Sequence, residues 1–453
     1  MYKARTDYLK KILYLLVIFS PLNSWGQGIL NQYLQEGLEQ NLVLREKNIE
    51  LEKSLLALKD AKSYFLPTVD FGANYTLASG GRTISIPIGD LLNPVYSTLN
   101  QLTGSNSFPQ LENVNEQFLP DNFYDARVRA SLPLINTDLI YQKEIREKQV
   151  ILSEYELDIY EANLIQDIKM AYYTFCTAHT AIEVIENAKV LVEQNLRDNR
   201  ILLENGKGLP SSVLRAESEV ENINALLIEA KAKRQNAANY VNFLLNRPIQ
   251  TEVVFEPQTL DMKEFAELMG ENNISGRSEL LQVQTAESIQ ETILKSNKNY
   301  WVPKLNTFAD MGSQSFDWAF DKQSRYLLFG LNMTVPLYQG NRNRNQIHRG
   351  ELNLKSVQNQ KELLNEKLSL DLQLAKNEVL TQQAALQSAE KKLESSVSYF
   401  RLVDRGFKEG ANSLIEFLDA RNQYTQASLQ KTISSYNLLK SLAALERQLT
   451  TSN

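Results

Sequence analysis

The sequence predicts a membrane protein of the α+β class: four amphipathic strands per chain enter a shared β-barrel, long antiparallel α-helices continue it, and the pattern is written twice. Three observations predict this. An export signal is followed by no apolar segment long enough to cross a bilayer as a helix. Period-two alternation follows two matched aromatic-aliphatic-proline signals. Heptad-patterned segments of nearly equal length begin where each alternation ends.

The chain opens with Lys3, Arg5, Lys10 and Lys11, an apolar run from Ile12 to Phe19, and the small-x-small site Ser24-Trp25-Gly26 before Gln27. That run is far shorter than the roughly 20 residues a spanning helix needs, so residues 1–26 read as a cleaved signal peptide of an exported protein. No later segment is long and apolar enough to span, which leaves strands as the route into a membrane. A net charge of -6 gives no basic excess for nucleic acid. Cys176, the single cysteine, cannot form an internal disulfide and reads as a buried helix residue. His179 and His348 are isolated, without metal-ligand spacing or a triad, and Gly206-Lys207 lacks the rest of a phosphate loop. The reading is of a non-enzyme with no cofactor and no metal.

Internal repetition sets the domain organisation. Tyr64-Phe65-Leu66-Pro67 is matched by Tyr300-Trp301-Val302-Pro303, and Leu132-Pro133-Leu134 by Val335-Pro336-Leu337. Gly206, followed after eight residues by Leu214-Arg215-Ala216-Glu217, is matched by Gly410 with Leu418-Asp419-Ala420-Arg421. Pro133 and Gly206 are 73 residues apart, Pro336 and Gly410 74. A segment whose length is held to one residue in both copies implies a rod that must reach a fixed point. The expected first repeat is 27–248, with a β-hairpin at 67–134 and a helical hairpin at 139–247. A linker at 249–277 follows, then a second repeat at 278–453 with a β-hairpin at 304–337 and a helical hairpin at 341–449.

In the first strand Val69, Phe71, Ala73, Tyr75 and Leu77 share one face and Asp70, Gly72, Asn74 and Thr76 the other. The second sets Tyr124, Ala126, Val128, Ala130 and Leu132 against Asp125, Arg127, Arg129 and Ser131. The fourth offers Leu327, Phe329, Leu331, Met333 and Val335, and the third, over 305–311, alternates more weakly. One apolar and one polar face over 9 to 11 residues suit both a lipid-exposed, water-lined barrel and a half-buried soluble sheet, and export favours the barrel. Four strands cannot close one, since the smallest membrane barrels have about eight, so it must be shared between chains. Three copies give twelve strands, while the arithmetic also admits two or four. The Pro- and Gly-containing stretch from Ser79 to Asn122 reads as a long external loop with a short helix near 91–102.

Between the strands the chain reads as helix. Leu164, Ile168, Ala171, Phe175, Ala178, Ile182 and Ile185 form one heptad seam, and Leu368, Leu372, Ala375, Val379, Gln382, Leu386, Ala389 and Leu393 the other. A rod of some 70 residues is about 105 Å long. The return paths are expected in stacked pieces: 209–247 with 278–300, and 29–65 with 413–449. A coiled-coil scaffold and a periplasmic adaptor are the rival readings, and the amphipathic strands joined to both rods argue against them.

Val335-Pro336-Leu337-Tyr338-Gln339-Gly340-Asn341-Arg342 resembles the Pro-Leu-x-x-Gly-Gly-Arg junction of the TolC-like outer-membrane efflux family, and Gly410 with Leu418-Asp419-Ala420 resembles its periplasmic tip. The first copy keeps Pro133-Leu134 but has Asn136-Thr137 where the glycine is expected. The resemblance covers the whole mature chain. It implies a homotrimer with a 12-stranded β-barrel in outer-membrane lipid, continued through the periplasm by an α-helical barrel. It also implies a tip that docks onto a periplasmic membrane-fusion adaptor and an inner-membrane pump of the RND or ABC type, for efflux or type I secretion. Residues 249–274 would form an equatorial belt. The strand-helix junctions fall at Pro67, Pro133, Pro303, Pro336 and Gly340. The adaptor-contacting tips fall at Gly206, Gly208, Leu214, Ala216, Gly410, Leu418 and Ala420. Glu416 and Asp419, three apart on one helical face, match the family's paired acidic positions, which form a gate at the periplasmic entrance. Six carboxylates around a three-fold axis would favour cations and raise one another's pKa. Leu203 and Phe407 stand where the family often has tyrosine, and Ser212 stands opposite Glu416.

Overall fold

The structure is a computed structural model that describes residues 28–449. The expected signal peptide, residues 1–26, lies outside them. In chain order the elements are α1 (Ile29–Gln40), α2 (Leu42–Ser63), β1 (Thr68–Thr76), β2 (Thr83–Ile86), α3 (Ile88–Thr103), β3 (Val114–Gln117), β4 (Phe123–Ile135) and α4 (Thr137–Glu204). There follow α5 (Pro210–Leu244), α6 (Met262–Gly270), α7 (Ser278–Lys298), β5 (Lys304–Phe316), β6 (Arg325–Thr334), α8 (Arg342–Lys408) and α9 (Leu414–Leu449). The described residues fall into two compact units, one formed by residues 55–149 and 288–354, the other by residues 28–54, 150–287 and 355–449.

The first unit carries a four-stranded antiparallel sheet in the order β1-β4-β5-β6. Its register keeps the period-two faces aligned from strand to strand. Val69, Ala130, Ala309 and Phe329 form one apolar row, and Phe71, Val128, Met311 and Leu327 the next. Behind them Asp70, Arg129, Asp310 and Leu328 stand side by side. A one-residue slip of any strand would exchange the faces, so this pattern fixes the register. The weakly patterned third strand is longer than its alternation suggests, because β5 is paired with β6 as far as Ser313 and with β4 through Gly312 to Phe316. Strand β4 also runs past its expected end, with the register shifting between Pro133 and Ile135. An interior proline cannot donate to the ladder and is tolerated at such an irregularity. The long loop contains the expected helix, over 88–103, and a β2–β3 ribbon that sequence alone does not reveal. Four-residue strands carry too few alternations to separate from loop.

The second unit is helical. The seam of α4 is buried through Leu164, Ile168, Ala171, Phe175, Ile182 and Ile185, against Val241, Leu245, Tyr436 and Leu439 near one end and Ile223 and Leu227 further on. Cys176 is fully buried there, and burial pushes its thiol up to about 12. The helix expected over 29–65 is broken at Asn41, whose backbone is extended. Its Oδ1 accepts from the N–H groups of Val43 and Leu44 and from the Tyr160 hydroxyl, and its Nδ2 donates to the Leu244 carbonyl. A side chain that satisfies freed backbone groups this well stabilises the break.

The segment 248–257 is non-helical, as expected, and is pinned by buried polar groups. Asn242 donates to the carbonyls of Ile249 and Thr251, Tyr33 Oη accepts from Val254 N, and Tyr172 Oη accepts from Glu256 N and donates to Val254 O. The following α6 is a finding that the linker's short apolar pattern does not announce. Asp261 caps it by accepting from Lys263 N, and Phe265, Leu268 and Met269 pack toward Leu372, Leu438 and Leu442. Lys376 clasps the far end, donating to the carbonyls of Met269 and Glu271 and to Asn272 Oδ1.

Candidate functional site

Two regions, one in each unit, carry the features that bear on function. The first is the pair of turns joining α4 to α5 and α8 to α9. Gly206 and Gly410 have φ of 72° and 78°, the left-handed conformation that a side chain disfavours. In the first turn Gly206 N donates to Leu203 O and Lys207 N to Leu202 O. In the second Gly410 N donates to Phe407 O and Ala411 N to Gly406 O. This double bond pattern is the Schellman C-cap, which satisfies the last helical carbonyls. Pro210 starts α5 at a position where its missing N–H costs nothing. Gly208 passes so close to the Leu202–Leu203 backbone that a Cβ would lie 2.7 Å from Leu203 N.

At the start of α9, Ser413 and Glu416 form a capping box. Ser413 N and Oγ donate to Glu416 Oε2 at 2.7 and 3.0 Å, and Glu416 N donates back to Ser413 Oγ at 3.3 Å. Glu416 is fully exposed, and the Ser413 N–H, then its hydroxyl, then Asn412 hold its carboxyl below the usual range. Within one chain the shift is therefore opposite to the rise expected from crowded carboxylates. Asp419, also exposed, accepts from Gln423 Nε2 at 2.7 Å.

The remaining tip positions divide by burial. Leu214 and Ile415 project into solvent, 67% and 78% exposed, whereas Ala216, Leu418 and Ala420 are buried in the chain's own packing. Phe407, which stands where tyrosine was expected, stacks on Phe417 at 4.9 Å, within a cluster that includes Phe400, Val403, Leu414 and Leu418. An ion pair that sequence reasoning missed ties the two hairpins together. Arg421, 3% exposed, donates Nη2 to Glu219 Oε2 at 3.0 Å, and Arg215 meets the same carboxylate at 3.1 Å. The pair lies 202 residues apart, so no local spacing reports it. The available signal is that Glu219 continues the apolar spacing of Ala216 and Ile223, and Arg421 that of Phe417 and Tyr424: charged residues on buried seams.

The second region is the sheet. Its apolar face is open: Val69, Phe71, Met311, Leu327, Phe329, Leu331 and Met333 are each more than 60% exposed. Its other face is polar and internally paired. Arg129 donates twice to Asp310, both bonds 2.7 Å, beneath the Phe308 ring, while Asp125 accepts from Arg127 and from the Tyr326 hydroxyl. Aromatic side chains gather at both ends of the strands. At one end Trp318 stacks on Tyr75 and Tyr124, Phe320 packs on Tyr124, and Phe123 meets Phe316. At the other, Tyr64, Phe65, Trp301 and Tyr338 are exposed. An apolar band flanked by aromatic girdles, with a polar reverse face, is the pattern of an outer-membrane β-barrel. Strands β1 and β6 have no partner on their outer edges among the described residues. The junction residues bracket this sheet: Pro67 and Pro303 precede β1 and β5, Pro336 follows β6, and Gly340 and Asn341, both with positive φ, lead into α8. Pro133 lies inside β4 rather than beyond it.

No helix among the described residues is long and apolar enough to cross a membrane, and no group of His, Cys, Asp or Glu among them could hold a metal ion.

Known proteins agree with this geometry. Residues 276–451 match the Outer membrane efflux protein family. Outer membrane protein TolC of Salmonella enteritidis is 19% identical over 456 residues, covering 95% of this chain and 84% of that protein. Among solved structures, the outer-membrane channel OprN superposes with a TM-score of 0.75 at 15% identity, covering 94% of this chain and 90% of OprN. The Campylobacter jejuni CmeC outer membrane channel gives 0.73 at 14% identity, again over 94% and 90%. The second half of the chain thus matches the Outer membrane efflux protein family, and the chain as a whole has the fold of the outer-membrane channels OprN and CmeC.

Proposed function

We propose that the chain is the passive outer-membrane channel of a tripartite efflux or type I secretion system, with no catalytic role of its own. It works as a homotrimer in which three four-stranded sheets close a twelve-stranded barrel. The observation that carries this is the sheet: an exposed apolar face between two aromatic girdles, a charged reverse face, and two open edges. Open edges are not tolerated in lipid, so neighbouring copies must complete them. Exposed Met170, Leu226, Tyr240 and Ile433 line an open apolar groove along α4, α5 and α9, which suits packing against another copy.

The two halves, 27–248 and 278–453, descend on this reading from one duplicated unit. Residues 249–277, with α6, form the equatorial segment between them. The tips meet a periplasmic adaptor, which couples the channel to an inner-membrane pump of RND or ABC type. Contact falls to exposed Leu214 and to the turn glycines Gly206, Gly208 and Gly410, while buried Ala216, Leu418 and Ala420 shape the tip from inside. Glu416 and Asp419 form the periplasmic gate, and the Arg421–Glu219 pair holds the two hairpins in register behind it.

Single-channel recording from the purified protein in planar bilayers tests this. Discrete conductance steps are expected, and Glu416→Gln with Asp419→Asn should weaken block by divalent cations added on the periplasmic side. A soluble monomer without conductance would overturn the channel, and unchanged block would overturn the gate alone.

A further inference from the structure

The membrane-proximal end of the sheet unit carries cationic groups that the channel reading leaves unused. Arg342, Arg344 and Arg349, in the first turns of α8, are exposed, and their guanidinium groups make no hydrogen bond or ion pair among the described residues. Arg45, Arg401 and Arg405 are exposed without such partners as well, but here three arginines fall within eight residues beside exposed aromatic side chains. Arg344 lines an open cavity of about 600 Å³ with Tyr300, Asn341, Asn345, His348 and Glu351. The Glu351 carboxylate is already engaged, 3.7 Å from both Lys298 and His348, so it does not neutralise Arg344. A second cavity, of about 360 Å³, joins Lys62 and Lys143 to Phe65 and Ile140, but these lysines, 3.9 and 3.6 Å from Glu147, are already paired and leave the free charge to the arginines. Both cavities adjoin the exposed aromatic belt of Tyr64, Phe65, Trp301 and Tyr338. Aromatic rings of this kind settle at headgroup level.

We propose that this collar binds anionic phospholipid headgroups of the periplasmic leaflet, with Arg344 and the Tyr300 cavity taking a phosphate and Arg342 and Arg349 adding to its field. The assignment rests on the sheet unit lying in the outer membrane. Unpaired guanidinium groups grip phosphate oxygens in pairs, and what favours lipid over a soluble anion is the setting: Arg344 shares its cavity with Tyr300, beside exposed aromatic side chains fitted to the headgroup layer. Juxtamembrane cations attract an anionic leaflet with an energy that amounts to about fivefold in affinity per arginine.

The full-length protein, reconstituted in nanodiscs of mixed phosphatidylglycerol and phosphatidylcholine, provides the test: lipids retained after detergent exchange are counted by native mass spectrometry. The wild type should retain phosphatidylglycerol preferentially. Arg342→Gln, Arg344→Gln and Arg349→Gln together should lower that preference at least about tenfold, and the three Lys replacements should restore part of it. Inorganic phosphate at matched ionic strength should leave the preference intact. Equal retention of the two lipids by the wild type, or an unchanged preference in the Gln variant, would overturn the proposal. Displacement by inorganic phosphate would overturn the choice of lipid. Conductance of the same Gln variant separates the two readings: a conducting channel without lipid preference refutes the collar alone.

Discussion

Glu279 gives the most quantitative prediction. It sits between two arginines in the helical unit. Arg277 donates to both of its oxygens, at 2.8 and 3.1 Å, and Arg447 donates to Oε1 at 2.5 Å. Arg277 and Arg447 are 3% and 7% exposed, and they continue to Gln448 and Asn163, so one carboxylate joins the start of α7, the end of α9 and the middle of α4. Burial alone would raise the Glu279 pKa, but the hydrogen bonds and charges of the two arginines outweigh it and bring it from 4.5 to about 2. A depressed folded pKa means the contribution is fully present above pH 4.5 and is lost as the pH falls toward 2. A drop of that size corresponds to about 3 kcal/mol at neutral pH. Removing one partner of a buried ion network costs on the order of 3–5 kcal/mol, because the others stay buried and unpaired. Chemical denaturation of wild type and Glu279→Gln, followed by helical circular dichroism in detergent, should therefore differ by about 3 kcal/mol at pH 7 and converge near pH 2. A difference below about 1 kcal/mol at pH 7, or the same pH slope in both proteins, would refute the reasoning.

Other consequences follow from the tip and the sheet. Arg421→Met should destabilise the hairpin pairing by about 3 kcal/mol, since it leaves buried Glu219 only the largely exposed Arg215, while Arg421→Met with Glu219→Leu should recover most of that loss. A double-mutant cycle on thermal unfolding reads the coupling, and additive losses would contradict it. Gly410→Ala, forced into left-handed backbone, should cost about 1 kcal/mol by the same assay. On the sheet, Phe329→Arg should cost about 2–4 kcal/mol and block membrane assembly, whereas Asn332→Arg on the opposite face should be tolerated. Heat-resistant oligomers on gels distinguish the two.

Much of this fold is disclosed by its sequence, and what is hidden depends on contacts between distant residues. Strands and long helices are legible because their signals are periodic and extended: Val69 to Leu77 alternates without fault, and the α4 seam repeats over many turns. The break at Asn41 is hidden because a single asparagine in a helical pattern shows no sign of the distant partners, Tyr160 and Leu244, that stabilise it. Helix α6 spans nine residues and needs tertiary packing to form, so a window of sequence underestimates it. At the tip, Gly206 and Gly410 are legible from turn chemistry. Glu416 reads as a gate acid from its motif, yet Ser413 three residues earlier also marks a capping box, and the structure makes that second role explicit. Burial of Leu418, Ala420 and Ala216 follows from packing between distant segments and could not be read locally. The Arg421–Glu219 pair is a long-range contact whose only trace is two charges on apolar seams.

On the proposed function, the sheet edges are completed by other copies of the chain. Cysteines placed along β1 and β6, in pairs that sample neighbouring registers, can be oxidised in intact outer membranes; native Cys176 is buried and should stay out of the reaction. Inter-chain disulfides should build a covalent series ending at three chains, with the closed species still conducting in planar bilayers. If every pair leaves only single chains, or the series ends at another number, the shared twelve-stranded barrel is wrong.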